Sequence, residues 1–231
     1  MYETILAPTD GSDHARRAAA HACALASAFD SEVHVLAVAD VKAAAGPFSA
    51  GGISPEERER FERQSREWLE STRESIPEDV PCQTVLRDGS PAKTIAEYAD
   101  EIDAGMIAMG THGRSGVSRY VLGSVSERVL RLADAPVFTV KAGDRTEPGE
   151  PIEDVLVPTD GSRRAAAAVE HGIALAGVDG ATVHAVSVLD EPVGLADEDV
   201  LPDEVHDEIR TQARAATEEV ASAAEAAGLE A

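Results

Sequence analysis

Apolar and polar positions along the chain change period in a regular way. Thr4–Ala7 is a short apolar run that reads as a strand ended by Pro8. From Ser12 or Asp13 to about Phe29, apolar residues recur three and four apart, which predicts an amphipathic helix capped at its start. Val33–Ala39 reads as a second strand, and Pro47–Ser54 as a glycine-containing loop. Ser54-Pro55-Glu56-Glu57 opens a charged helix: Ser54 caps, Pro55 suits the first helical position, and Glu57 completes a capping box. That helix must end before Pro77. Cys82–Leu86 follows as a strand, a helix runs from Ser90-Pro91 to about Asp100, and Gly105–Met109 is a short buried strand. Ser124 starts another helix ending near Ala133, and Pro136–Val140 is a last strand. Five strands alternating with four helices predict an open parallel α/β sheet with right-handed crossovers and helices on both faces.

The chain then repeats itself. Residues 3–40 and 153–190 align without a gap at an offset of 150, with 17 of 38 positions identical. Ile5-Leu6-Ala7-Pro8-Thr9-Asp10-Gly11-Ser12 recurs as Val155-Leu156-Val157-Pro158-Thr159-Asp160-Gly161-Ser162, and His21 as His171. The economical explanation is duplication. The second copy predicts a strand (Asp154–Val157), a helix (Arg163–Ala176), a strand (Thr182–Val188) and a long helix (about Pro202–Ala227), with no counterpart of residues 82–140. The expected organisation is a complete domain over 1–142, a polar Gly/Pro linker over 143–151, and an incomplete second copy over 152–231.

Charge narrows the partners. The chain carries 43 acids against 20 bases, a net charge of −23, and the bases are 17 Arg and only 3 Lys. So acidic a surface repels nucleic-acid phosphates and anionic lipid. The plain reading is ordinary acidic solubility; scarce Lys with abundant Asp, Glu and Ala also fits a cytoplasm with molar salt, where screening over about 3 Å makes dense carboxylates tolerable. Residues 151–231 hold 18 acids and 4 Arg, net −14, against −9 for residues 1–150. No run of about 18 apolar residues predicts a membrane span. The N-terminus lacks the basic and apolar regions of a signal peptide, so the cytoplasm is the expected compartment. Cys23 and Cys82 make neither a disulfide framework nor a four-ligand zinc set.

Two loops carry candidate chemistry. Pro8-Thr9-Asp10-Gly11-Ser12 follows the first strand. Met109-Gly110-Thr111-His112-Gly113-Arg114-Ser115-Gly116 follows the fourth and leads to Gly123-Ser124-Val125-Ser126-Glu127. With strand order 3-2-1-4-5, the first and fourth strands are neighbours, and their loops flank the crevice where parallel sheets bind ligands. Gly110 and Gly113 let backbone N–H groups approach an anion. The helix opened by Gly123-Ser124 offers free N–H groups and the positive end of its dipole, with Ser124 and Ser126 as hydroxyl donors. A plainer alternative stays open: Ser124 and Glu127 form a capping box and the glycines only make turns. Asp10 is either a helix cap or an acceptor for a ribose hydroxyl, Arg114 either a solvated loop residue or a phosphate ligand. His112 reads as structural, because no paired acid or second histidine sits at catalytic spacing.

The spacing Gly110-x2-Gly113-x9-Gly123-Ser124, with PTDGS, GTHGRSG, LGSVSERVL and PVFTV, resembles the nucleotide motif of the universal stress protein family. The resemblance covers residues 2–141, and the first half of the family domain in 152–231. Similarity to its ATP-binding branch implies that Pro8, Thr9, Asp10 and Val38 line the adenine and ribose side. It implies that Met109, Gly110, Gly113, Arg114, Gly123, Ser124, Val125 and Ser126 approach the phosphates of ATP, with magnesium or manganese as a candidate phosphate-bound ion. It also implies a homodimer through Pro136–Val140. Neither a GxxxxGK[ST] loop nor a nucleophile–base pair is readable, and no lysine falls in either loop. The expectation is therefore a nucleotide-binding stress or signalling protein, with slow ATP hydrolysis and a nucleotide-free scaffold as the alternatives.

Overall fold

The computed structural model describes residues 1–40, 54–112, 122–141, 147–189 and 203–231. The chain divides into two compact units, Met1–Glu150 and Pro151–Ala231. In the first, β1 (Thr4–Thr9), β2 (Glu32–Ala39), β3 (Cys82–Asp88), β4 (Met106–Gly110) and β5 (Val137–Val140) form one sheet. Its helices are α1 (Asp13–Phe29), α2 (Pro55–Glu74), α3 (Pro91–Glu101) and α4 (Ser124–Leu132). The strand order is β3-β2-β1-β4-β5 and every pairing is parallel, as the sequence predicts.

Strand alternation assigns the two faces. Leu6, Leu36, Ile107 and Met109 join Ala92, Ile95, Tyr98 and Ala99 of α3 and Val129 of α4 in one buried cluster. On the opposite face α1 packs on β1 and β4, and α2 on β2 and β3. Both faces are covered, so the central strands are mostly apolar: Ile5, Leu6, Val33, Val35, Leu36 and Ile107 are fully buried.

The helix starts follow from local chemistry. Ser12 caps α1, its Oγ accepting from Ala15 N–H at 3.2 Å. Ser54 and Glu57 make the expected reciprocal capping box on α2. Pro8 does not end β1, contrary to expectation: the strand continues through Thr9, and Pro8 registers with Leu36 of β2. β1 pairs with β4 at Ile5–Met106 and Leu6–Ile107. Pro8 lies beyond those pairs, where a residue without an N–H breaks no bond between β1 and β4.

The second unit holds β6 (Asp154–Pro158), α5 (Arg163–Asp179), β7 (Thr182–Val186) and α6 (Asp203–Ala226). β6 and β7 pair in parallel with the register of β1 and β2. After α6 the likeness continues, with Val183 N–H donating to Glu230 O at 2.8 Å as Val33 N–H donates to Pro81 O at 2.8 Å. Its core is Val157, Ala176, Ala181, Val183, Val220 and Ala224. Leu156, the counterpart of the fully buried Leu6, is 65% exposed. Among the described residues, no helix is long and apolar enough to cross a membrane.

Candidate functional site

The turn after β1 is held from three sides. Asp10 Oδ1 accepts from Ser12 N–H at 3.0 Å, so Asp10 forms an Asx turn while Ser12 is the cap. Gly11 has φ +75°, and its carbonyl accepts from Arg16 Nη1 at 2.9 Å. A Cβ on Gly11 would collide with Trp68 Cδ1, so the indole of α2 lies against this turn. Thr9 is buried; its Oγ1 lies 3.0 Å from Thr72 Oγ1 and accepts from Gly11 N–H at 3.3 Å.

The ends of β4 and α4 are tied together by hydrogen bonds around Gly110. Ser126, 4% exposed, donates its hydroxyl to Gly110 O at 2.8 Å. Thr111 N–H donates to Val140 O at 2.9 Å, and Gly123 N–H to Thr111 O at 2.6 Å. Gly123 is the N-cap of α4, and no side chain caps the helix. The capping-box alternative for Ser124 and Glu127 is thereby removed: Glu127 pairs with Arg131 at 3.0 Å instead. The first-turn N–H groups of α4 keep their capacity to donate. Gly110 also has a packing role, since a Cβ there would lie 2.8 Å from His14 Cβ and 2.9 Å from His14 C.

Pairing of β1 with β4 brings Pro8, Thr9 and Asp10 beside Met109 and Gly110 at the carboxyl edge of the sheet. Met109 is buried in the core beneath, where Val38 and Val125 pack half-buried. Gly123, Ser124 and Ser126 follow at the start of α4. Gly113 and Arg114 lie outside the described residues. Sequence reasoning missed His14: its ring centroid lies 5.7 Å from that of His112, although the residues are far apart in the chain. Asp160 in the second unit repeats the turn of Asp10, accepting from Ser162 N–H at 2.9 Å. Hydrogen bonds from Ser162 hold its carboxyl below the usual carboxylate range.

The two loops flank the point where strand order reverses, the place where open α/β sheets that bind ligands hold them. Residues 1–141 and 151–231 both match the model of the universal stress protein family, and the chain belongs to that family. A universal stress protein of Methanocaldococcus jannaschii is 39% identical over 142 residues, 61% of this chain and 83% of that protein. One from Bacillus subtilis is 32% identical over 149 residues, 61% of this chain and all of that protein. The solved structure of MJ0577, a universal stress protein of Methanocaldococcus jannaschii, superposes with a TM-score of 0.54 at 27% identity, covering 62% of this chain and 99% of that one. A universal stress protein structure from Archaeoglobus fulgidus reaches a TM-score of 0.66 at 23% identity, over 89% of this chain and 72% of that one.

Proposed function

We propose that the first unit binds an adenine nucleotide, ATP, and that the bound nucleotide governs the protein's conformation or partners in a stress response. The observation that carries this reading is the uncapped start of α4 beside the carboxyl ends of β1 and β4. There, N–H groups and a positive dipole end meet at one edge of the sheet. Pro8, Thr9, Asp10 and Val38 take the base and ribose. Met109, Gly110, Gly113, Arg114, Gly123, Ser124 and Val125 take the phosphates, with magnesium or manganese as counter-ion. The described residues fit such a ligand in chemistry: backbone donors, small residues and an acidic acceptor. Ser126 serves by position, because its proton is donated to Gly110 O and holds α4 against β4. The protein works in the cytoplasm, at high salt, as a binding protein more than a fast enzyme. Two chains pair through the apolar β5 edge.

The test is mass analysis of nucleotide released from gently purified protein, followed by titration and a turnover assay in molar salt. One ATP per chain, lost in Gly113→Val and kept in Asp160→Ala, supports the reading. Two equivalent ATP per chain, or none when ATP is supplied, refutes it. Phosphate release lost in the Gly113→Val variant assigns slow hydrolysis to the same site.

A further inference from the structure

His112 follows the end of β4, with one nitrogen engaged and the other not. Its Nδ1 lies 3.1 Å from Thr111 Oγ1. Its Nε2 is buried from water and has no hydrogen-bond partner. An orphaned buried ring nitrogen is costly and calls for a reason. Thr111 is itself fixed on both sides, by Val140 O and by Gly123 N–H. With Nδ1–H donating to Thr111 Oγ1, Nε2 presents a lone pair, the arrangement in which histidines bind metal ions.

The second imidazole comes from a different element. His14 lies in the first turn of α1, whose backbone is pressed against Gly110. The two rings are 5.7 Å apart between centroids and tilted by 45°. Two imidazoles sharing one tetrahedral ion, each with its nitrogen about 2.0–2.1 Å from the metal, place their ring centres about 5–6 Å apart. We propose that His14 and His112 form a two-imidazole site for a late first-row divalent cation such as zinc, beside the phosphate loop. Imidazole pairs favour such ions over magnesium. Among the described residues no group of three or more His, Cys, Asp and Glu could hold a metal, and the proposal gives the remaining positions to ligands from outside the protein. Phosphate oxygens of the nucleotide fill them, a part that rests on the nucleotide reading. Through the pair a softer cation outcompetes magnesium or manganese on the phosphates of the bound nucleotide. The second unit has Arg164 in place of His14 and lacks the pair.

The experiment is a cobalt(II) titration of the tag-free full chain, cobalt standing in for zinc as a coloured probe, with and without ATP. The expected result is one equivalent of cobalt, the visible band of a four-coordinate ion, and at least tenfold tighter binding when ATP is present. His14→Gln and His112→Gln each weaken cobalt binding at least tenfold. His184→Gln, on an exposed strand residue paired with Asp154, leaves it unchanged. Wild-type histidine-ring nuclear magnetic resonance with zinc, which needs no variant, moves two imidazoles most. Absence of the band, or its persistence in both variants, overturns the pair. Cobalt bound by the pair without any ATP binding keeps the pair and refutes the nucleotide reading. ATP bound equally by wild type and both variants, with no cobalt band, does the reverse.

Discussion

Gly110→Ala separates two reasons for a glycine at the end of β4. If Gly110 served only the approach of a ligand, a methyl group would leave the ligand-free protein intact. It would even stabilise the strand by about 0.5–1 kcal/mol, because alanine loses less backbone entropy on folding. The packing argues the opposite sign. The new Cβ would fall 2.8 Å from His14 Cβ, 2.9 Å from His14 C and 3.0 Å from His14 O. Two of those atoms are backbone of α1 and have no rotamer by which to retreat. α1 must therefore lift from β4, at the overpacking cost of about 1–3 kcal/mol. With a urea slope of about 1–3 kcal/mol per molar, the midpoint drops by about 0.3–3 M. Trp68, the chain's single tryptophan, belongs to the first unit, so its fluorescence follows that unit's unfolding. A midpoint unchanged or raised in the absence of nucleotide would refute the packing argument and return Gly110 to a purely ligand-facing role.

Cys23 is 4% exposed, and burial pushes its thiol up to about 11, whereas Cys82 is raised by burial but half-exposed. Near pH 7.5 about one Cys23 in 3,000 is thiolate, against about one in ten for an ordinary thiol. Native alkylation therefore modifies Cys82 slowly and Cys23 only after unfolding; equal rates at both would contradict this. The raised value also makes the fold's stability fall as pH climbs from the ordinary thiol range toward 11, because the unfolded thiol ionises first. For the assembly, β5 is an edge strand of sequence VFTV. Pro136 O and Val140 O accept from β4, so the N–H groups of Val137 and Thr139 face outward; Thr139→Pro removes one edge donor, and light scattering in molar salt is expected to report a dimer for wild type and a monomer for the variant. A wild-type monomer, or a dimer indifferent to proline, rules out pairing through β5.

Much of the fold is legible because its signals are local. The period of apolar residues, Ser54 with Glu57, Ser90-Pro91 and the offset repeat of PTDGS each depend on neighbours a few residues away, and the corresponding elements appear with ends shifted by a few residues. Signals fail where a local rule has two solutions. Ser124 and Glu127 spell a capping box, yet Gly123 takes the cap position, because its N–H is drawn to Thr111 O at 2.6 Å while Glu127 turns to Arg131. Pro8 looks like a strand stop, yet β1 runs past it, because β2 supplies a partner strand through Thr9.

By itself, then, the sequence determined that the chain is a duplicated α/β protein, and which two loops carry the motif that resembles its family's. The tertiary structure alone decided what those residues face. Leu6 and Leu156 are the same residue at equivalent places in the repeat, but one is fully buried under α3 and α4 and the other is 65% exposed. Ser126 reads as a phosphate donor until the sheet brings Gly110 O within 2.8 Å of its hydroxyl. His112 reads as a solitary ring until α1, packed across β4, delivers His14 to it. The reason is physical: periodicity and capping are encoded over a single turn of chain. The juxtaposition of α1 with the end of β4 exists only after β1 and β4, nearly a hundred residues apart, have paired.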